Sequence, residues 1–143
     1  MNAVRRRRVW VFVAVVLVGL GALAGAAFLP WSANHFGYAL PGDQGLPYRV
    51  EYGDRDYRSH VTCAGADWCE PGTRRADVGT PYCTPRAELE LGRLHRVGEV
   101  PTLWGSPHAM FLTMEPQPGT TPIAVLVEAT DGCYVSFILM GGP

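Results

Sequence analysis

The residues of this chain that could do chemistry are four cysteines, four histidines and a handful of carboxylates and hydroxyls. Nucleophilic hydrolysis needs a serine or cysteine with a base in reach and an oxyanion hole. Gly105-Ser106-Pro107-His108 is the nearest offer. It departs from G-x-S-x-G, and its glycine and proline mark a turn more naturally than a nucleophile elbow. A hydrolase built here would need Ser106 and His108 to converge in a pocket, with a distant acid and two free backbone N–H groups. Acid–base chemistry would need two carboxylates at a defined separation. Asp54-Arg55-Asp56 has the look of a D-x-D cue, but it falls where a hairpin must turn, and turn aspartates bond their own backbone. Glu88 and Glu90 diverge if helical and read as solvent-facing charges. His35, His60, His95 and His108 are scattered without ligand spacing. There is no phosphate-cradling G-x-x-x-x-G-K-[ST] and no lysine at all. No catalytic residue, metal or cofactor is therefore assigned, and the expectation is that the chain is not an enzyme.

Cys63, Cys69, Cys83 and Cys133 lack C-x-x-C spacing, and the nearest histidine approach is His60-Val61-Thr62-Cys63, so a metal site is not expected. An even number of cysteines beyond an apolar N-terminus predicts two disulfides in an oxidising compartment. Three connectivities are possible. The favoured one joins Cys69 to Cys83, stapling the aperiodic stretch 64–82, and Cys63 to Cys133.

Trp68, between two of those cysteines, and Trp104, before a Gly-Ser-Pro turn, have the rigid area that interfaces use. They could equally serve as core covering the sheet. If a binding face exists, the expectation places it on the 64–82 loop, with Trp68, Glu70 and Arg74, and at Trp104.

What positions these residues is an apolar segment followed by a modest domain. Arg5–Arg8 hold four of the 12 basic residues, and all 13 acids lie after residue 42. The net charge of −1 and the brevity of Arg74-Arg75 argue against nucleic acid as a partner. Residues 1–8 read as a cytoplasmic basic tail. Residues 9–29 carry no charge, and as a helix would extend roughly 31 Å, close to the ~30 Å hydrocarbon core. Pro30 is expected to stop the helix, with Trp10 and Trp31 as interfacial aromatics. The arginines predict a cytoplasmic N-terminus and an extracytoplasmic remainder. A cleaved signal peptide, with Ala24-Gly25-Ala26 as its A-x-A site, is the rival reading and would make the protein secreted. Gly21 and Gly25 form a G-x-x-x-G, a candidate face for a homodimer through the transmembrane helix.

Residues 30–45 read as a juxtamembrane linker and 46–143 as the extracytoplasmic domain. Alternation over Tyr48–Tyr52 and again from Tyr57 to Cys63 predicts an antiparallel hairpin. Ile123–Glu128 and Cys133–Met140 flank an Asp131-Gly132 turn, and both runs are apolar enough to be central strands. Ala109–Glu115 and Leu94–Val100 add strands. Thr84-Pro85 resembles an N-cap and first helical residue, predicting a short helix to about Leu91. The fold class expected is thus a single transmembrane helix, or signal segment, plus a small disulfide-bonded α+β domain. Its antiparallel sheet would have about five strands and carry one short helix. Arginine without lysine suggests a GC-rich coding sequence, hence a bacterial envelope protein. The expected role is that of a binding or accessory module: partner the bilayer through residues 9–29, a second partner another envelope protein. The alternatives are a secreted inhibitor-like domain and a small extracytoplasmic hydrolase.

Overall fold

The computed structural model describes residues 2–42, 44–59, 61–64, 82–89 and 92–141. The chain opens with one long helix, α1 (Asn2–Phe36), followed by β1 (Arg49–Tyr52), β2 (Arg55–Arg58), β3 (Thr84–Pro85), β4 (His95–Val100), β5 (His108–Leu112), β6 (Ala124–Thr130) and β7 (Cys133–Leu139). Every strand pairing is antiparallel; the order is β1-β2-β7-β6-β5-β4, with β3 added to β7.

Local chemistry explains the hairpins. Gly53 and Asp54 both have positive φ, 58° and 59°, the pattern of a type I′ turn, so β1 and β2 meet through a two-residue loop. This sets Val50 opposite Tyr57, both buried, while Arg49 and Asp56 point outward and pair at 3.5 Å. At the second hairpin Gly132 takes φ 71°, and its N–H donates to Glu128 Oε1 at 3.0 Å. β6 and β7 are central, as their apolar runs require, and Val125, Leu126 and Val127 are buried in succession. The sheet curls, so that Val50 and Tyr57 near one edge share a single core with Met110, Leu112, Val125, Val135, Phe137 and, from the other edge, Val100.

Four expectations are corrected. Among the described residues the sheet has seven strands, counting the two-residue β3, rather than about five. No short helix follows Thr84; Thr84 and Pro85 instead pair with Tyr134 and Cys133 as β3. The cause is tertiary: a disulfide joins Cys83 to Cys133, and Arg86 N–H donates to Gly132 O at 2.7 Å, which together hold this segment flat along β7. Glu88 and Leu89 then close a turn onto Pro85 O, and among the described residues α1 is the one helix. The Cys83–Cys133 bridge also overturns the favoured pairing; Cys63 is itself disulfide-bonded, and Cys69 lies outside the described residues. Finally, Pro30 does not stop the helix, which continues to Phe36.

That extra turn and a half is welded to the domain. Ser32, Ala33 and Asn34 are buried. Asn34 Nδ2 donates to Pro30 O at 2.8 Å and to Cys63 O at 3.0 Å, while its Oδ1 accepts Tyr48 N–H at 2.7 Å. The Arg49 guanidinium donates to His35 O, and the Ser32 and Tyr38 hydroxyls share a hydrogen bond of 2.5 Å. Within the 30–45 stretch read as a linker, Ala39 bridges Thr102, and Leu40 N–H donates to Gly45 O at 2.8 Å.

Candidate functional site

The end of the curled sheet farther along β1 from the helix joint opens into a cavity of about 450 Å3. Its rim is the β5–β6 connection, whose prolines and Gly119 (φ 78°) prevent a tight hairpin. The loop is nevertheless fixed. Thr120 donates twice to Gln117 O, Tyr57 Oη donates to Pro122 O at 2.9 Å, and Leu139 N–H donates to Ile123 O at 2.8 Å. Tyr52, at the last position of β1, and Leu112, at the last of β5, form the floor. Met114 and Ile123 stand on the rim at 73% and 78% exposure. Thr113, Glu115, Gln117, Thr120 and Thr121 supply the polar contribution. Apolar side chains mixed with a few hydroxyl, amide and carboxylate groups at the open end of a curled sheet suit a ligand or peptide side chain held by shape and a few hydrogen bonds.

A smaller cavity, about 170 Å3, lies at the seam where β1 and β4 approach each other, lined by Arg49, Glu51, Asp56 and Glu99 among others. Arg49 and Asp56 are too exposed at 34% and 46% for their pairing to contribute much. Among the described residues no group of three histidine, cysteine or acidic side chains is placed to hold a metal ion.

The residues singled out from the sequence are dispersed. Trp68, Glu70 and Arg74 lie outside the described residues, as do Cys69, His60 and Glu90. Trp104 is 63% exposed on the β4–β5 turn, so it does not cover the sheet as core. It is also remote from the mouth, since its turn precedes β5 and the mouth follows β5. Gly21 and Gly25 face open space on α1. Ser106 is exposed, and its carbonyl accepts the Thr102 hydroxyl at 3.0 Å. His108 Nδ1 is committed to Glu128 O at 2.9 Å, and no hydrogen bond joins Ser106 to His108 among the described residues. Asp54 occupies the turn and Asp56 the strand, so the D-x-D does not form one site.

Three tyrosines are pushed up from the ordinary phenol range, in each case chiefly by burial: Tyr57, Tyr134 and most of all Tyr82, raised to about 12. The Tyr82 hydroxyl accepts Leu46 N–H at 3.2 Å, which opposes that shift only in part. These phenols are neutral structural donors and acceptors at physiological pH.

Sequence reasoning missed both the Asn34 joint and the mouth. The first had a signal, Ser32-Ala33-Asn34 placed where a helix continuing past Pro30 would turn a small, polar patch toward the domain. The second had none, because Tyr52, Leu112 and Ile123 meet only after the sheet curls. Compared with protein-family models, characterised proteins and solved structures, the chain has no match.

Proposed function

We propose that this is a single-pass, membrane-anchored envelope protein, N-terminus cytoplasmic, whose extracytoplasmic β domain is a binding or accessory module. The observation that carries the reading is the contrast along α1. The helix is long and apolar enough to cross a membrane, and its apolar window is 0% buried. Immediately beyond it, Ser32, Ala33 and Asn34 are buried in the domain. An apolar cylinder bare on every side has no place in water, whereas lipid satisfies it, since all its backbone hydrogen bonds are internal. The binding role rests on the fixed apolar mouth around Tyr52, Leu112, Met114 and Ile123. The Ser106–His108 pairing that a hydrolase would use is not formed, and no observation favours that alternative.

The secreted alternative keeps one point in its favour: a cut after Ala26 would leave the Asn34 joint intact. Intact mass of the non-reduced protein, measured in membrane and medium fractions, separates the two. Full-length protein in the membrane, lighter than its reduced form by the hydrogens of two disulfides, is the expected result. A mass beginning at Ala27 in the medium overturns the anchor.

A further inference from the structure

Aromatic rings run without a break along the end of α1. Phe28 lies 5.7 Å from Trp31, Trp31 stacks on His35 at 5.1 Å with planes 8° apart, and Phe36 meets His35 edge-on at 4.8 Å. Phe28, Trp31 and Phe36 remain exposed. Three residues past Phe36, the chain is clamped to the β4–β5 turn: Ala39 N–H donates to Pro101 O at 2.7 Å, and Leu103 N–H donates to Ala39 O at 2.9 Å. The next residue is Trp104, 63% exposed, beside a partly exposed Leu103. The whole turn, Pro101 to Pro107, is uncharged.

Trp10 and Trp31 bracket the apolar span, which places the Phe28–Phe36 aromatics in the outward interfacial layer, where Trp and Tyr rings are enriched. The domain is not free to swing away from that layer, because Asn34 bonds both Tyr48 and Cys63. A turn tied to residue 39 is therefore held close to the end of α1. It presents a large indole and a leucine with no charge to desolvate.

Building on the anchored reading above, we propose that the Leu103-Trp104 tip inserts into the phospholipid interface of the outward leaflet. It would be a second membrane contact beside the helix, seating the domain on the bilayer with its mouth in a fixed direction. The indole ring suits the boundary between headgroup and acyl chain, with its N–H free for a lipid carbonyl or phosphate.

The test uses full-length protein in phosphatidylcholine vesicles with acyl chains brominated near the headgroup. One variant keeps only Trp31 (Trp10→Phe, Trp68→Phe, Trp104→Phe) and another keeps only Trp104 (Trp10→Phe, Trp31→Phe, Trp68→Phe). Where Trp68→Phe prevents folding, the difference spectrum between wild type and Trp104→Phe gives the same readout. The expected result is quenching of both tryptophans by bromolipid to a similar fraction, with Trp104 emission shifted to the blue. Trp31 quenched and Trp104 unaffected overturns the inference and leaves the anchor standing. Neither quenched overturns both. A Trp104 that is blue-shifted but not quenched marks a protein surface or a second copy as its cover, and also overturns the inference.

Discussion

Asn34, on the last turn of the helix, accepts the backbone N–H of Tyr48 at 2.7 Å and thereby sets the angle at which the chain enters β1. Its amide nitrogen spans to Cys63 O on the far side of the β1–β2 hairpin. One side chain thus ties three segments that are distant in sequence, and it is 5% exposed.

Replacing Asn34 by Leu strands the part-buried Tyr48 N–H and the buried Cys63 carbonyl, the latter costing about 1–3 kcal/mol and the former less. Asn34→Leu is expected to lower stability by about 2–4 kcal/mol on that basis, and Asn34→Asp to cost at least as much, because it cannot donate and adds a buried charge. Thermal unfolding followed by circular dichroism in detergent checks this. An unchanged midpoint for Asn34→Leu would mean the helix end is not welded in solution.

Gly45 has no room for a side chain. A Cβ there would lie 1.7 Å from Leu40 O, a backbone atom that cannot step aside. Gly45→Ala must open the loop closed by Leu40 N–H to Gly45 O and Gly45 N–H to Gly42 O. The expected loss is at the upper end of the ~1–3 kcal/mol typical of overpacking, read as a lower denaturant midpoint. Gly53→Asn, at φ 58° with open space around it, is the control and should be nearly neutral.

These two sites show where sequence reading succeeds and where it stops. Strand pairs with local turns were legible in part: period-two alternation located the β1–β2 hairpin, although β2 (Arg55–Arg58) starts earlier and shares only Tyr57 and Arg58 with the run expected from Tyr57 to Cys63, and Asp131-Gly132 located the β6–β7 turn. Signals that tertiary contacts override were not. Thr84-Pro85 is a good helix start in isolation, yet Cys83 is bonded to Cys133, and two residues beside a disulfide follow the strand they are bonded to. Pro30 is a good helix stop in isolation, yet the turn beyond it is held to the domain by the Asn34 hydrogen bonds to Tyr48 and Cys63 and by the burial of Ala33. The mouth depends on curvature, which no window of sequence encodes.

The Cys83–Cys133 bridge closes a separation of 50 residues. By chain entropy it contributes about 4 kcal/mol. Cys83→Ser with Cys133→Ser is therefore expected to cost several kcal/mol and to free β3 from β7. Tryptic digestion without reduction should join the peptide holding Cys83 to the one holding Cys133. A link from Cys133 to Cys63 would contradict the fold.

Tyr82 links stability to alkaline pH. Its pKa is about 12 folded against 10.0 unfolded, so between those values the unfolded chain releases a proton that the folded one keeps. The stabilisation is whole below pH 10 and is lost progressively from pH 10 to 12, by about 1–3 kcal/mol. Tyr57 and Tyr134 shift in the same direction and steepen the fall. Tyr82→Phe should flatten the midpoint-against-pH curve above pH 10 while costing some stability at pH 7, since Leu46 N–H loses its acceptor. An equally steep curve in the Phe variant would refute the assignment to Tyr82.

The rim of the mouth carries side chains, Met114 and Ile123, that can be changed without touching the core. Met114 and Ile123 are 73% and 78% exposed, so Met114→Ser with Ile123→Ser should alter stability by no more than about 0.5 kcal/mol each. Their contribution to a bound apolar group would be larger, since a group that reaches the Tyr52 and Leu112 floor covers both rim residues. A crosslinking comparison in native membranes, with a photoreactive group at Gln117 on that rim, reads the difference: a discrete adduct in the wild-type background that is lost in the double variant at an unchanged unfolding midpoint. An adduct that survives the double variant would place binding elsewhere on the domain. Loss of the adduct together with the midpoint would show that the rim holds the β5–β6 loop in place rather than a partner.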